Sequence, residues 1–379
     1  LPRVKELERG VEVGSVNRAS GGASHDVIPD HDALMRQAVL REPRHIELVT
    51  RPVPAPGPGE VVLRVRAALT CGTDLKTYRR GHPKVPFGPF GHECAGDVVA
   101  AGRGARGVRE GDAVIPTPTA PCGVCPSCRA GRENLCERQF ERIVLGAYAD
   151  YLLVSDTVVA TNLRRKPAGL SYIEAAFLEP LSCVVHAWDR LGPAPVGQVV
   201  VVGLGGIGMM FVRLARARGA RVIAVGRRVE RLALARELGA DAIVDTEEDD
   251  IGPRIREAAG GVGPDAVIEC TGSPRMWVEV AGWARRGGRV LLFAGLAAGT
   301  QVAFDATRLH YDEVDIINTF HYRPVDVEEA HRLLATGVIN LRPIISGVRD
   351  LAGIVDVFAS LDRGHGVKFA ILPEASGWA

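Results

Sequence analysis

The chain has 379 residues and a formal net charge of +1, with 46 Lys and Arg against 45 Asp and Glu. That length suffices for two domains with separate cores, and the even balance offers no basic excess for a nucleic-acid partner. No apolar run is long enough to span a bilayer. Eight cysteines without a secretory signal point to a reducing, cytoplasmic setting in which thiols ligate metal.

Residues 1–31 are polar, include Ala19-Ser20-Gly21-Gly22-Ala23-Ser24, and show no sustained helix or strand period. Residues 1–34 are therefore expected to be a poorly ordered extension. A globular pattern begins at Met35, and Pro52, Pro54, Pro56 and Pro58 mark a loop. Residues 60–68 alternate as a strand through Val61-Val62-Leu63-Arg64-Val65-Arg66. The chain then enters Cys71-Gly72-Thr73-Asp74, followed by Gly91-His92-Glu93-Cys94 and, later, Leu178-Glu179-Pro180-Leu181. A thiolate, an imidazole and a carboxylate suit an open zinc site whose fourth position takes water or substrate. Spacing alone is a weak signal for ligands drawn from distant segments, and a lone His92 also reads as a structural histidine.

Residues 121–136 read PCGVCPSCRAGRENLC. Cys122, Cys125 and Cys128 recur every third residue, and Cys136 returns after a turn at Gly131. Four thiolates can close a tetrahedral shell around zinc and leave no open position, so this ion would hold a loop rather than perform chemistry. The alternatives are disulfides or inert thiols. The two separated CxxC pairs of a nucleic-acid zinc ribbon are not what this loop shows.

A βαβ unit follows. Gln198–Val202 is a continuous apolar strand, and it enters Gly203-Leu204-Gly205-Gly206-Ile207-Gly208, after which residues 209–218 form an apolar helix. A GxGxxG between strand and helix is a dinucleotide fingerprint, with the pyrophosphate at the helix N-terminus. The next strand, 221–225, ends in Gly226-Arg227-Arg228, where an NAD site would place an acid for the ribose 2′-hydroxyl. Gly226 leaves room, and the two arginines can hold a 2′-phosphate, which favours NADP over NAD. The alternative is a solvated basic strand end. Further strands are expected at 242–244, 266–269, 289–293 and 314–319. They put Cys270-Thr271-Gly272 and Ala294-Gly295 at carboxyl ends, where open α/β sheets bind ligands.

In order, CGTD, GHE, the four-cysteine loop, EPL, GLGGIG and Gly366-Val367-Lys368 resemble the zinc-dependent medium-chain dehydrogenases, the alcohol and polyol dehydrogenase family, over about Met35 to Leu372. The resemblance implies an α/β protein: a GroES-like, mostly-β catalytic domain interrupted by a Rossmann domain with a doubly wound parallel sheet. Its boundaries would be 35–185, 186–322 and a C-terminal return at 323–379. It implies two zinc ions per chain, one catalytic and one structural, and a homodimer or homotetramer.

By the same resemblance Cys71 and His92 are catalytic zinc ligands, and Glu179 or Glu93 is the third. Asp74 orients His92, and Thr73 receives the substrate proton. The cofactor would lie on Gly203, Gly205, Gly206, Ile207, Gly208, Gly226, Arg227, Arg228, Thr271, Gly272 and Gly295. The reaction implied is hydride transfer between an alcohol or carbonyl substrate and NAD(P), with zinc lowering the alcohol's pKa. Lys76 stands where the family often has His, so it either completes the proton relay or is simply exposed.

Glu179 in place of Cys resembles polyol, sugar and cyclitol enzymes, and a threonine dehydrogenase is the near alternative. Arg79, Arg80 and His82 read either as cleft residues or as a solvated loop, and His310 and Tyr311 as structural. A zinc-free quinone reductase would lack the Cys71/His92 pair and the cysteine loop. A non-catalytic dinucleotide-binding protein is the reading from another class.

Overall fold

The computed structural model describes residues 33–81, 86–247 and 251–374. The expected extension, apart from its last two residues, and His82 lie outside them.

Two sheets dominate. In the first, six strands run in the order Ala242–Asp245, Arg221–Gly226, Gln198–Val202, Ala266–Glu269, Arg289–Leu292 and Asp315–Asn318. All neighbours are parallel. Numbered along the chain this order is 3-2-1-4-5-6, the Rossmann arrangement, which places its ligand crevice outside the carboxyl end of the first strand. The run QVVVV is apolar at every valine because helices cover both faces. Val199 and Val201 pack into one core and Val200 and Val202 into the other.

The second sheet has seven strands. Its centre is Val61–Leu69, flanked by Glu93–Ala101 on one side and Lys368–Leu372 on the other. Both pairings are antiparallel, and Tyr151–Val154 also joins the central strand. A small sheet of Leu34–Glu42, His45–Pro52 and Gly88–Pro89 sits apart from it. Leu69 lies opposite both Glu93 and Ala370. The ends of three strands thus converge where the chain leaves Leu69 for Cys71, and this convergence positions the site.

Candidate active site

Cys71 is the N-cap of the helix Gly72–Arg80, and its Sγ accepts from the Thr73 N–H at 3.4 Å. CGTD is therefore a helix start that also presents a thiol. Asp74, in the first turn, is buried and lies 3.2 Å from His92 Nδ1. The Tyr148 hydroxyl is 2.7 Å from the other Asp74 oxygen and 3.0 Å from the Leu69 carbonyl. A carboxylate on one ring nitrogen fixes the tautomer and leaves the other nitrogen for a metal. Cys71, His92 and Glu93 place one ligand atom each within 4.8 Å of one another.

The donor chemistry fits a divalent cation. Burial, with the Glu93 charge added, pushes the Cys71 thiol up, and burial raises the Glu179 carboxyl to about 7. A bound cation reverses these penalties. Glu93 Oε1 is buried with no hydrogen-bond partner among the described residues, an orphan suited to a ligand atom. Glu179 sits in the first turn of the helix Leu178–Arg190 and feels the charges of His92 and Glu93. It belongs to a different tight group, with Cys183 and His321.

The other Glu93 oxygen is ion-paired to Lys368, whose Nζ also donates to the Thr70 carbonyl at 2.7 Å. Lys368 reaches the dinucleotide loop as well: a Cβ built on Gly206 would lie 3.5 Å from its Cε. No role for Lys368, Tyr148, Cys183 or His321 was readable from the sequence. The one signal for Lys368 was its place in the GVK run.

Cys122, Cys125, Cys128 and Cys136 close into one cluster. Cys125 Sγ is 3.5 Å from Cys128 Sγ and 3.9 Å from Cys136 Sγ. Sulfurs about 2.3 Å from zinc make a tetrahedron with edges of about 3.8 Å, so the cluster fits that ion.

At the dinucleotide loop Gly203 has φ 95°, and a Cβ there would come within 2.7 Å of Thr271. A Cβ on Gly208 would overlap the Gly203 carbonyl. Gly205 is the N-cap of Gly206–Ala217, and no side chain caps that helix. Its first N–H groups, beside Ile207, are thus left for an anion. The turn after the Ala266–Glu269 strand is shaped by Glu269, which accepts from the Thr271 and Gly272 N–H groups at 2.6 and 3.1 Å. Gly295 follows the Arg289–Leu292 strand. A Cβ on Gly272 would lie 3.4 Å from the Gly295 carbonyl and 3.9 Å from Lys76 Nζ.

At the second strand end the picture differs in detail from the sequence reading. A Cβ on Gly226 would press within 2.7 Å of Leu204, so packing as well as charge accounts for that glycine. Arg227 is exposed, whereas Arg228 donates to the Gly364 carbonyl. Arg231, one turn on, donates to the Gly366 carbonyl at 2.8 Å. Arg79 ion-pairs with Asp362 at 2.7 Å and Arg80 is exposed. His310 and Tyr311 end the helix Ala306–Tyr311.

Comparison with known proteins agrees with this geometry. Residues 57–163 match the alcohol dehydrogenase GroES-like domain and residues 206–336 the zinc-binding dehydrogenase family. The sorbitol dehydrogenase of Bacillus subtilis (strain 168) is 32% identical, covering 82% of this chain and 89% of its own. The chain belongs to the zinc-binding medium-chain dehydrogenases. The L-threonine 3-dehydrogenase of Pyrococcus horikoshii is also 32% identical, over 79% of this chain and 87% of its own. A solved structure from Sinorhizobium meliloti 1021, described as a zinc-binding dehydrogenase bound to NADP, superposes with a TM-score of 0.84. It is 31% identical, and the match covers 90% of this chain and all of that one. This dehydrogenase therefore has a zinc-binding Cys₄ cluster, a Cys/His/Glu zinc group and an NAD(P) fold. Among the described residues no helix is long and apolar enough to cross a membrane.

Proposed function

We propose that this dehydrogenase moves hydride between a secondary alcohol of polyol, sugar or cyclitol type and NADP. The observation that carries the reading is the Cys71–His92–Glu93 group, linked through Lys368 to the dinucleotide loop. Zinc held by Cys71, His92 and the carboxylate of Glu179 or Glu93 supplies Lewis acidity that lowers the alcohol's pKa. The protein does the rest. Asp74 and Tyr148 hold the His92 ring, and half-buried Thr73 takes the substrate proton. Lys76 lies one helical turn on, towards Gly272, and in this reading it passes that proton outward. The helix at Gly206 would anchor the pyrophosphate, and the turns at Thr271–Gly272 and Gly295 would border the nicotinamide half. Held there, the cofactor would present its acceptor carbon to the carbinol carbon.

Glu179 in place of cysteine and the sorbitol dehydrogenase relative support a polyhydroxy substrate, and the threonine dehydrogenase relative supports an amino alcohol as second reading. NADP is supported by Arg227 beside Arg228 and Arg231. Burial and the charges of Arg228 and Arg227 lower the Arg231 pKa, which marks a cationic patch in need of an anion. The NADP-bound relative points the same way. We also infer a homodimer or homotetramer working in the cytoplasm, where the four clustered thiols stay reduced.

Cofactor reduction across polyols, sugars, cyclitols, threonine and simple secondary alcohols, with NAD and NADP in parallel, tests the reading. Turnover of threonine alone would transfer it to the second one, and no turnover with metal-replete protein would overturn it.

A further inference from the structure

Beside the zinc group lies a second set of metal donors. Glu179, Cys183 and His321 each place one ligand atom within 4.8 Å of the others. Glu179 and Cys183 are four residues apart on Leu178–Arg190, hence on one face of that helix. Cys183 Sγ is 3.7 Å from Glu179 Oε1. His321 comes from a distant segment, three residues beyond the last Rossmann strand, with φ 61°. Its ring is held in place: Nε2 is 2.6 Å from Thr119 Oγ1, and the ring stacks on Tyr322 with centroids 4.0 Å apart. A carboxylate, a thiol and an imidazole form a zinc-type donor set that leaves one position open. A hydroxyl on one ring nitrogen is also how a ligating imidazole is oriented.

We propose that Glu179, Cys183 and His321 form a second cation position beside the Cys71–His92–Glu93 zinc, filled at excess zinc and sharing Glu179 with it. An ion there adds a second link between Leu178–Arg190 and the segment after Asp315–Asn318, which already meet where Arg190 donates to the Asn318 carbonyl. Two dications around one carboxylate repel each other, so this position binds more weakly than the two sites of the resting enzyme. Cys183 then does more than donate its S–H to Glu179, which is all the hydrogen bond alone would require.

The proposal rests on the zinc reading of Cys71 and His92, and the test separates the two. Zinc-replete enzyme is dialysed to equilibrium against rising zinc, and bound metal per chain is measured by elemental analysis. A plateau near two ions is expected first, then a weaker third equivalent. Cys183→Ser and His321→Asn should each weaken the third equivalent by about tenfold or more and keep the first plateau. Asn accepts a left-handed backbone, so the second variant spares the turn. In a parallel cadmium titration, thiolate-to-metal absorption should grow with the third equivalent in the wild type and not in Cys183→Ser. A wild type that saturates at two ions would overturn the proposal. So would a third equivalent bound as tightly by both variants. Failure of the Cys71–His92 reading shows instead as a first plateau near one ion, unchanged by Cys71→Ala.

Discussion

At Lys368 one ammonium serves two partners, the Glu93 carboxylate and the Thr70 carbonyl, and lies 5.7 Å from the Phe177 ring centroid. Both members of the ion pair are buried. Removing one leaves an uncompensated buried charge, which costs about 3–5 kcal/mol. Lys368→Met should therefore lower unfolding free energy by that order, measured by urea denaturation of metal-free protein, in which no cation offsets the Glu93 charge. A loss under about 1 kcal/mol would mean that Glu93 has found another partner. Arg227 is the opposite case, exposed and near the proposed 2′-phosphate. Arg227→Ser should reduce the NADP-over-NAD ratio of kcat/KM by about tenfold, the low end for one charged hydrogen bond. A ratio that does not move would remove Arg227 from the cofactor site. Residues such as Cys71, His92 and the four cysteines stand out in the sequence because metal-binding residue types cluster or sit in familiar motifs. Lys368 and Glu93 are 275 positions apart, and no local pattern encodes that pairing. Leu204 against Gly226 escaped for the same reason: the glycine was read for charge, and its packing partner lies in another turn.

Among the elements, the helix Leu178–Arg190 carries Glu179, Cys183 and, two turns on, His186. His186 Nδ1 is 2.9 Å from Asp326 on the helix Pro324–Ala335, and Arg323 also bonds Asp326. Burial works against the Asp326 charge, but the bonds from His186 and Arg323 prevail and hold its carboxyl below the usual value. A depressed carboxylate adds stability above its unfolded-state pKa, about 3.9, and loses it as pH falls through the folded value. The stability gap between wild type and Asp326→Asn should thus be full at neutral pH and close below about pH 4. A gap independent of pH would mean that packing, not charge, joins the helices. Gly208 sets the other helix: a Cβ there overlaps the Gly203 carbonyl, and backbone yields little. Gly208→Ala should cost about 1–3 kcal/mol and weaken cofactor binding, read by thermal unfolding and nucleotide fluorescence. The Rossmann strands were legible to within a residue or two because buried parallel strands are apolar at every position. The dinucleotide helix begins at Gly206, earlier than its apolar run suggested, since glycines hide a helix start.

Over the whole molecule, two zinc-binding groups and one domain seam do separate jobs. The Cys₄ lobe is a small cluster of its own, so Cys125→Ser should lose about one zinc and lower thermal stability, leaving nucleotide binding in place. Elemental analysis with a melting curve checks both, and full metal content in the variant would refute the ligand assignment. The seam is clasped by Arg228 and Arg231, which reach the carbonyls of Gly364 and Gly366 just before Lys368. Fold class and domain order follow from motif order, whereas this clasp depends on which loops meet once both sheets exist. The basic strand end, read in the sequence as either cofactor-facing or solvated, therefore also holds the loop that leads to Lys368.

The pairing of Lys368–Leu372 with Val61–Leu69 has a consequence for how the protein is made. At roughly 5–20 residues per second on the ribosome, the last strand emerges on the order of tens of seconds after its partner. Until then the Ala68–Leu69 end of that strand is an open sheet edge, a liability for pairing with other chains. The Rossmann strands lie together in the chain, from Gln198 to Asn318, and can finish in the meantime. Birth order and assembly order are thus reversed: the cofactor half is completed first, and the metal half, begun earlier, waits for the final strand to bring Lys368 to Glu93.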